Sequence, residues 1–116
     1  MDIYEYFKDY ELDCSCGCGL MPDNRSIEML YAFRILYNKP VKVNSGARCK
    51  VYNKMLNGSV GSAHLIGAFD IKVPLEDEWE CIRIAQFVGF TGIGFDDNRM
   101  LHLDRHHKKP AFWGYK

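Results

Sequence analysis

The chain has 116 residues, 47% of them apolar, which suits a single domain with one core. Fifteen basic and fifteen acidic side chains cancel, so no basic excess drives nucleic-acid binding. No run approaches the ~18 apolar residues of a membrane span. The opening MDIYEYFKDYELD lacks the basic and apolar regions of a secretory signal, so synthesis in the cytoplasm, as a monomer, is expected.

Residues 1–24 read as an irregular arm, anchored by Ile3, Tyr4, Tyr6 and Phe7 and closed by the turn Met21-Pro22-Asp23-Asn24. Three of the five cysteines crowd into Cys14-Ser15-Cys16-Gly17-Cys18. That spacing is tighter than the C-x-x-C half of a zinc finger, and no second half follows. The expectation is a glycine-rich turn whose thiols pack or form one bridge, with Cys49 as a candidate partner.

From Ser26, read as an N-cap, the spacing predicts an amphipathic helix with Ile27, Leu30, Tyr31, Ile35 and Leu36 near one face. Asn38-Lys39-Pro40 ends it. Val41, Val43 and Ser45 alternate as a short strand, which Gly46 breaks. A short helix from Cys49 to Leu56 stops at Asn57-Gly58. A Gly/Ser loop over 59–67 carries His64. Residues 69–73 read as a strand ended by Pro74, and a helix follows from about Glu76 to Val88, with Trp79, Ile82, Ala85 and Gln86 spaced helically. Residues 89–95 form a twisted strand or bulge, and residues 101–104 a further strand. The aromatic tail from Pro110 docks on the body. The fold class is α+β, one domain over 1–116, with a small, mostly antiparallel sheet and flanking helices.

His64, Asp70 and His102 are the sharpest candidates for chemistry. A catalytic zinc takes three N or O ligands and leaves a fourth position for water. On strand 69–73, Ile71 and Val73 take one face, so Asp70 takes the other; on strand 101–104, Leu101 and Leu103 take one face, so His102 and Asp104 share the opposite one. Spacing alone leaves an ordinary hydrogen-bonded loop histidine as the alternative for His64.

The order VNSGARCKVYN, GSAHLIGAFDIKV, GFTGIGF and LHLD resembles the zinc D-alanyl-D-alanine carboxypeptidase family, which includes wall-trimming enzymes and phage endolysins and has the hedgehog/DD-peptidase fold. The resemblance runs from about Cys14 to Trp113. It implies zinc as cofactor, with His64, Asp70 and His102 as its ligands, and peptidoglycan stem peptides as substrate. It assigns Arg48 of Ser45-Gly46-Ala47-Arg48 to a substrate carboxylate, which a guanidinium fork grips bidentately. Ser62 matches the motif's serine, for substrate binding or loop orientation, and Asn53 matches a structural asparagine. The action on a bacterial wall that the resemblance implies, without a signal, points to phage or phage-derived delivery.

Two departures from the family pattern stand out. Asp70 follows His64 by six positions rather than seven, and the missing residue falls between Gly67 and Ala68, where Gly67 is expected to absorb it. Arg99 stands where many relatives place a glutamate base, and an arginine takes no proton. His102-Leu103-Asp104 matches the sub-branch ending in H-x-D, so Asp104 is either the base or a group orienting a ligand. Asp96, Asp97, His106 and His107 are further candidates, although His106-His107 beside Lys108-Lys109 reads as a solvated loop. The alternatives to an enzyme are a non-catalytic module that binds zinc or a wall peptide, and a metal-free interaction domain.

Overall fold

Alternation of large apolar residues with small or polar ones over Ala68–Lys72, Gly92–Phe95 and most of Met100–Asp104 builds the sheet that carries the site. A computed structural model of the protein describes residues 2–56, 64, 67–96 and 100–114. Its strands are β1 (Lys42–Ser45), β2 (Ala68–Lys72), β3 (Gly92–Phe95), β4 (Met100–Asp104) and β5 (Ala111–Gly114), in the spatial order β1-β2-β4-β3-β5. All neighbours pair antiparallel except β3 and β5, which run parallel. The architecture is α+β, with a mostly antiparallel sheet as expected. The tail does more than dock, since its backbone extends the sheet as β5.

The register sorts side chains by face. Val43, Ile71, Leu101 and Phe95 lie in one row, and Phe69, Leu103, Ile93 and Phe112 in the next. These rows are the apolar face, buried except towards the β3–β5 edge. On the other face Asp70, His102, Gly94 and Trp113 align across β2, β4, β3 and β5. Beside them run Ala68, Asp104, Gly92 and Ala111.

Helices α2 (Asn24–Tyr37) and α4 (Glu78–Val88) pack together and join the apolar face in one core. The N-cap of helix α2 is Asp23, three residues earlier than expected. Ser26 is not the cap but a fully buried residue of the first turn. The buried positions are Ile27, Met29, Leu30, Phe33 and Tyr37, while Ile35 and Leu36 are exposed. The helix is apolar on several sides, so periodicity did not single out the stripe that Phe33 and Tyr37 complete. Asn38, in the left-handed region at φ 58°, ends it. In α4 the buried residues are Cys81, Ile82 and Ala85, while Trp79 faces solvent.

The arm is more ordered than its composition suggests. It holds a 3-10 turn at Ile3–Glu5 and a short helix α1 (Asp9–Leu12). Ile3 and Phe7 anchor it in the core, whereas Tyr4 and Tyr6 are exposed. Gly46 passes so close to α1 that a Cβ there would stand 2.3 Å from the Leu12 carbonyl oxygen. Helix α3 (Lys50–Met55) follows with Cys49 as N-cap; its expected stop at Asn57-Gly58 lies outside the described residues. All five thiols are unbridged. Among the described residues, no helix is long and apolar enough to cross a membrane.

Candidate metal centre

Strand pairing sets Asp70 of β2 directly opposite His102 of β4, on the face away from the core. Asp70 Oδ1 lies 3.1 Å from His102 Nδ1, and Asp70 Oδ2 lies 3.0 Å from His64 Nε2. One ligand atom from each of the three residues falls within 4.8 Å of the other two. His64 is buried and fixed from behind: its Nδ1 donates to the Gly46 carbonyl at 2.7 Å, and its own carbonyl accepts from the Arg48 N–H at 2.9 Å. The short spacing between His64 and Asp70 therefore still brings the two side chains together. Gly67 has no positive φ and is needed for space: a Cβ there would lie 2.4 Å from Asp23 Oδ1 and 2.8 Å from Ser26 Oγ.

Asp104 stands behind His102. It is fully buried and accepts from His102 Nε2 at 2.7 Å, from His107 Nδ1 at 2.8 Å and from the His106 N–H at 3.1 Å. Both carboxylate oxygens are engaged, Oδ2 by His102 and Oδ1 by His106 and His107. Burial disfavours its charge, yet these donors hold its pKa down at about 2. Burial likewise opposes protonation of His102, but hydrogen bonds to Asp104 and Asp70 push it up to about 9. Asp70 is held well below the usual carboxylate range by the two histidines, against burial.

Of the pair expected in a solvated loop, His107 is exposed, and His106 departs from the expectation. His106 is half-buried, and its Nε2 donates to the Gly67 carbonyl at 3.0 Å. Trp113 from β5 walls the site, 5.5 Å from the His102 ring and 5.2 Å from the His107 ring. Two glycines make the room. A Cβ on Gly92 would lie 2.5 Å from Asp104 Oδ1 and 2.4 Å from His107 Nδ1, and one on Gly94 would lie 2.8 Å from Trp113 Cε2. The alternation G-x-G in β3 was the available sequence signal for these contacts, and it reads equally well as a flexible strand.

Arg48 reaches the centre from the segment before α3. Its Nη2 lies 4.0 Å from Asp70 Oδ2, and its Nη1 donates to Asn53 Oδ1 at 3.2 Å. Its Nε is buried and has no partner among the described residues. Asp96 Oδ1 accepts from the Met100 N–H at the start of β4. Ser62, Asp97 and Arg99 lie outside the described residues.

The donor set fits zinc. His64 Nδ1 and His102 Nε2 are committed to Gly46 and Asp104, leaving His64 Nε2 and His102 Nδ1 to face Asp70. Two nitrogens, each on a ring held from behind, and one carboxylate form a set of the size and type a catalytic zinc takes. No curated protein matches the chain. A family model described as Peptidase M15 matches residues 5–104, which take in most of the arm, Arg48, His64, Asp70, His102 and Asp104. The chain thus belongs to the Peptidase M15 family, whose members are zinc-dependent peptidases.

Proposed function

We propose that this protein is a zinc metallopeptidase that hydrolyses a peptide bond in peptidoglycan stem peptides, as a D,D-carboxypeptidase or an endopeptidase of endolysin type. The observation that carries the reading is the guanidinium of Arg48, 4.0 Å from Asp70 and with a buried Nε that has no partner among the described residues. A cation beside a three-ligand metal set suits a substrate that brings a carboxylate close to its scissile bond.

His64, Asp70 and His102 would hold the ion. When bound, zinc supplies an activated water at neutral pH and polarises the scissile carbonyl. Arg48 binds the substrate carboxylate, and Asn53 holds one arm of its fork. For a D-Ala–D-Ala end that carboxylate is the peptide terminus; for internal cleavage it is another stem carboxylate. Asp104 keeps the His102 ring in place. His107 and Trp113 bound one side of the space over His102.

The test is digestion of purified wall peptides by the zinc-loaded chain, with released D-alanine and new amino termini both measured. Turnover that disappears in His64→Ala supports the reading. Peptide binding without turnover by the zinc-loaded chain would overturn it in favour of a binding module. The engagement of both Asp104 oxygens is the observation that favours that second reading, because it takes the H-x-D carboxylate away from proton transfer.

A further inference from the structure

A second group of metal-binding side chains lies outside the centre described above. Cys14, Cys16, Cys18 and Cys49 place their four Sγ atoms within 4.8 Å of one another. Cys14 and Cys16 are 3.4 Å apart at sulfur, and Cys16 and Cys49 are 3.6 Å apart. These separations are far longer than the ~2.05 Å of a disulfide. They approach the edge of about 3.8 Å that a tetrahedron of thiolates has around zinc at about 2.3 Å. Cys16 neighbours two partners at once, an arrangement of convergence rather than of pairs.

The chain is built to bring them together. The Gly17 N–H donates to the Cys14 carbonyl at 3.1 Å, and the Cys14 N–H donates to the Leu20 carbonyl at 2.8 Å, so the segment folds into a closed turn. Gly17 takes φ +84° with nothing near its Cβ position, so glycine is required there for backbone conformation. The Ala47 N–H donates to the Leu12 carbonyl at 2.8 Å, which lays the Cys49 segment alongside the arm. Two backbone donors already serve the sulfurs: the Cys49 N–H to Cys14 Sγ, and the Tyr52 N–H to Cys49 Sγ, both at 3.3 Å. Such N–H···S bonds are the outer support that holds thiolate ligands in orientation.

We propose that Cys14, Cys16, Cys18 and Cys49 form a closed structural site for one zinc ion, which pins the N-terminal arm to the segment that presents Arg48. Four thiolates complete a tetrahedron and leave no position for water, so the site is structural. Soft sulfur donors in this number select zinc over hard divalent ions. Each thiol gives its proton to solvent as it ligates. Cys49 directly follows Arg48, and the Arg48 N–H holds the His64 carbonyl, so the ion would steady both residues from one side. The site stands independently of the proposed peptidase activity.

The test titrates cobalt into the full-length, untagged chain, reduced and stripped of metal under nitrogen. The expected result is an intense near-ultraviolet thiolate-to-cobalt charge-transfer band that saturates at one equivalent. The band survives His64→Ala and is lost in Cys18→Ser. Metal analysis should find two zinc ions in the unaltered chain and one in either variant. A folded, fully reduced chain that binds cobalt without that band would overturn the proposal. So would a freshly purified chain whose four arm and Cys49 thiols are locked in disulfides.

Discussion

At His102 the site's acid–base behaviour is decided by two carboxylates. In the metal-free chain Asp104 and Asp70 raise its pKa to about 9, above the usual value near 6.5. A raised pKa means this group's contribution to stability is complete below about pH 6.5 and is lost as pH climbs to about 9. Zinc needs the neutral ring, so the ion must displace a proton. Apparent zinc affinity at this centre should rise about tenfold per pH unit from pH 7 towards 9. Calorimetry in buffers of different ionisation enthalpy should count the released proton, and a pH-independent affinity would contradict the assignment. Asp104→Asn should lower zinc affinity or turnover roughly 10–100-fold, measured by competition with a chelating dye, because it removes the acceptor that holds His102. Arg48→Lys keeps the charge but loses the fork. It should reduce kcat/KM on stem peptides roughly 10–100-fold while zinc content stays unchanged.

Between strands, register governs function. A one-residue slip of β4 against β2 would turn His102 into the core and Leu103 to the metal face. Leu101 and Leu103 prevent that slip, because both are fully buried beneath the helices. Neighbouring β3 contributes by omission, since Gly92 and Gly94 leave the space that Asp104, His107 and Trp113 fill. Gly92→Ala should push the Asp104 carboxylate or His107 aside and weaken zinc binding roughly 10–100-fold, as loss of an outer support does. Gly94→Ala should instead displace Trp113 and leave zinc affinity nearly unchanged. Isothermal titration of both variants, with circular dichroism to confirm folding, separates the two outcomes.

Across the whole molecule, the arm, the sheet and α3 meet around the metal-binding residues, so metal and fold should be coupled. A ligand present at about 1,000 times its Kd stabilises the native state by about 4 kcal/mol. For a domain of this size that corresponds to a fall in Tm on the order of 10 °C when a chelator removes the ion. Differential scanning calorimetry with and without chelator reads this directly, and a Tm insensitive to chelation would speak against bound metal.

What the sequence by itself determined is local and periodic. Alternation placed Asp70 on the polar face of its strand and His102 with Asp104 on that of another, and the G-S-A-H-L-I-G-A-F-D and H-L-D patterns carried the family resemblance. Residue spacing along one element is enough for such conclusions, because side-chain direction follows backbone geometry. Tertiary structure alone decided which side of α2 is buried, since a helix apolar on several sides has no single stripe to read. It alone decided that His107 turns back to Asp104, that the tail becomes a parallel strand beside β3, and that Cys49 joins the cysteines of the arm 31 to 35 positions earlier in the chain. The strand and cysteine contacts join distant segments whose meeting is set by packing and backbone pairing, and the His107 contact is a turn of the chain after β4; no local period encodes them.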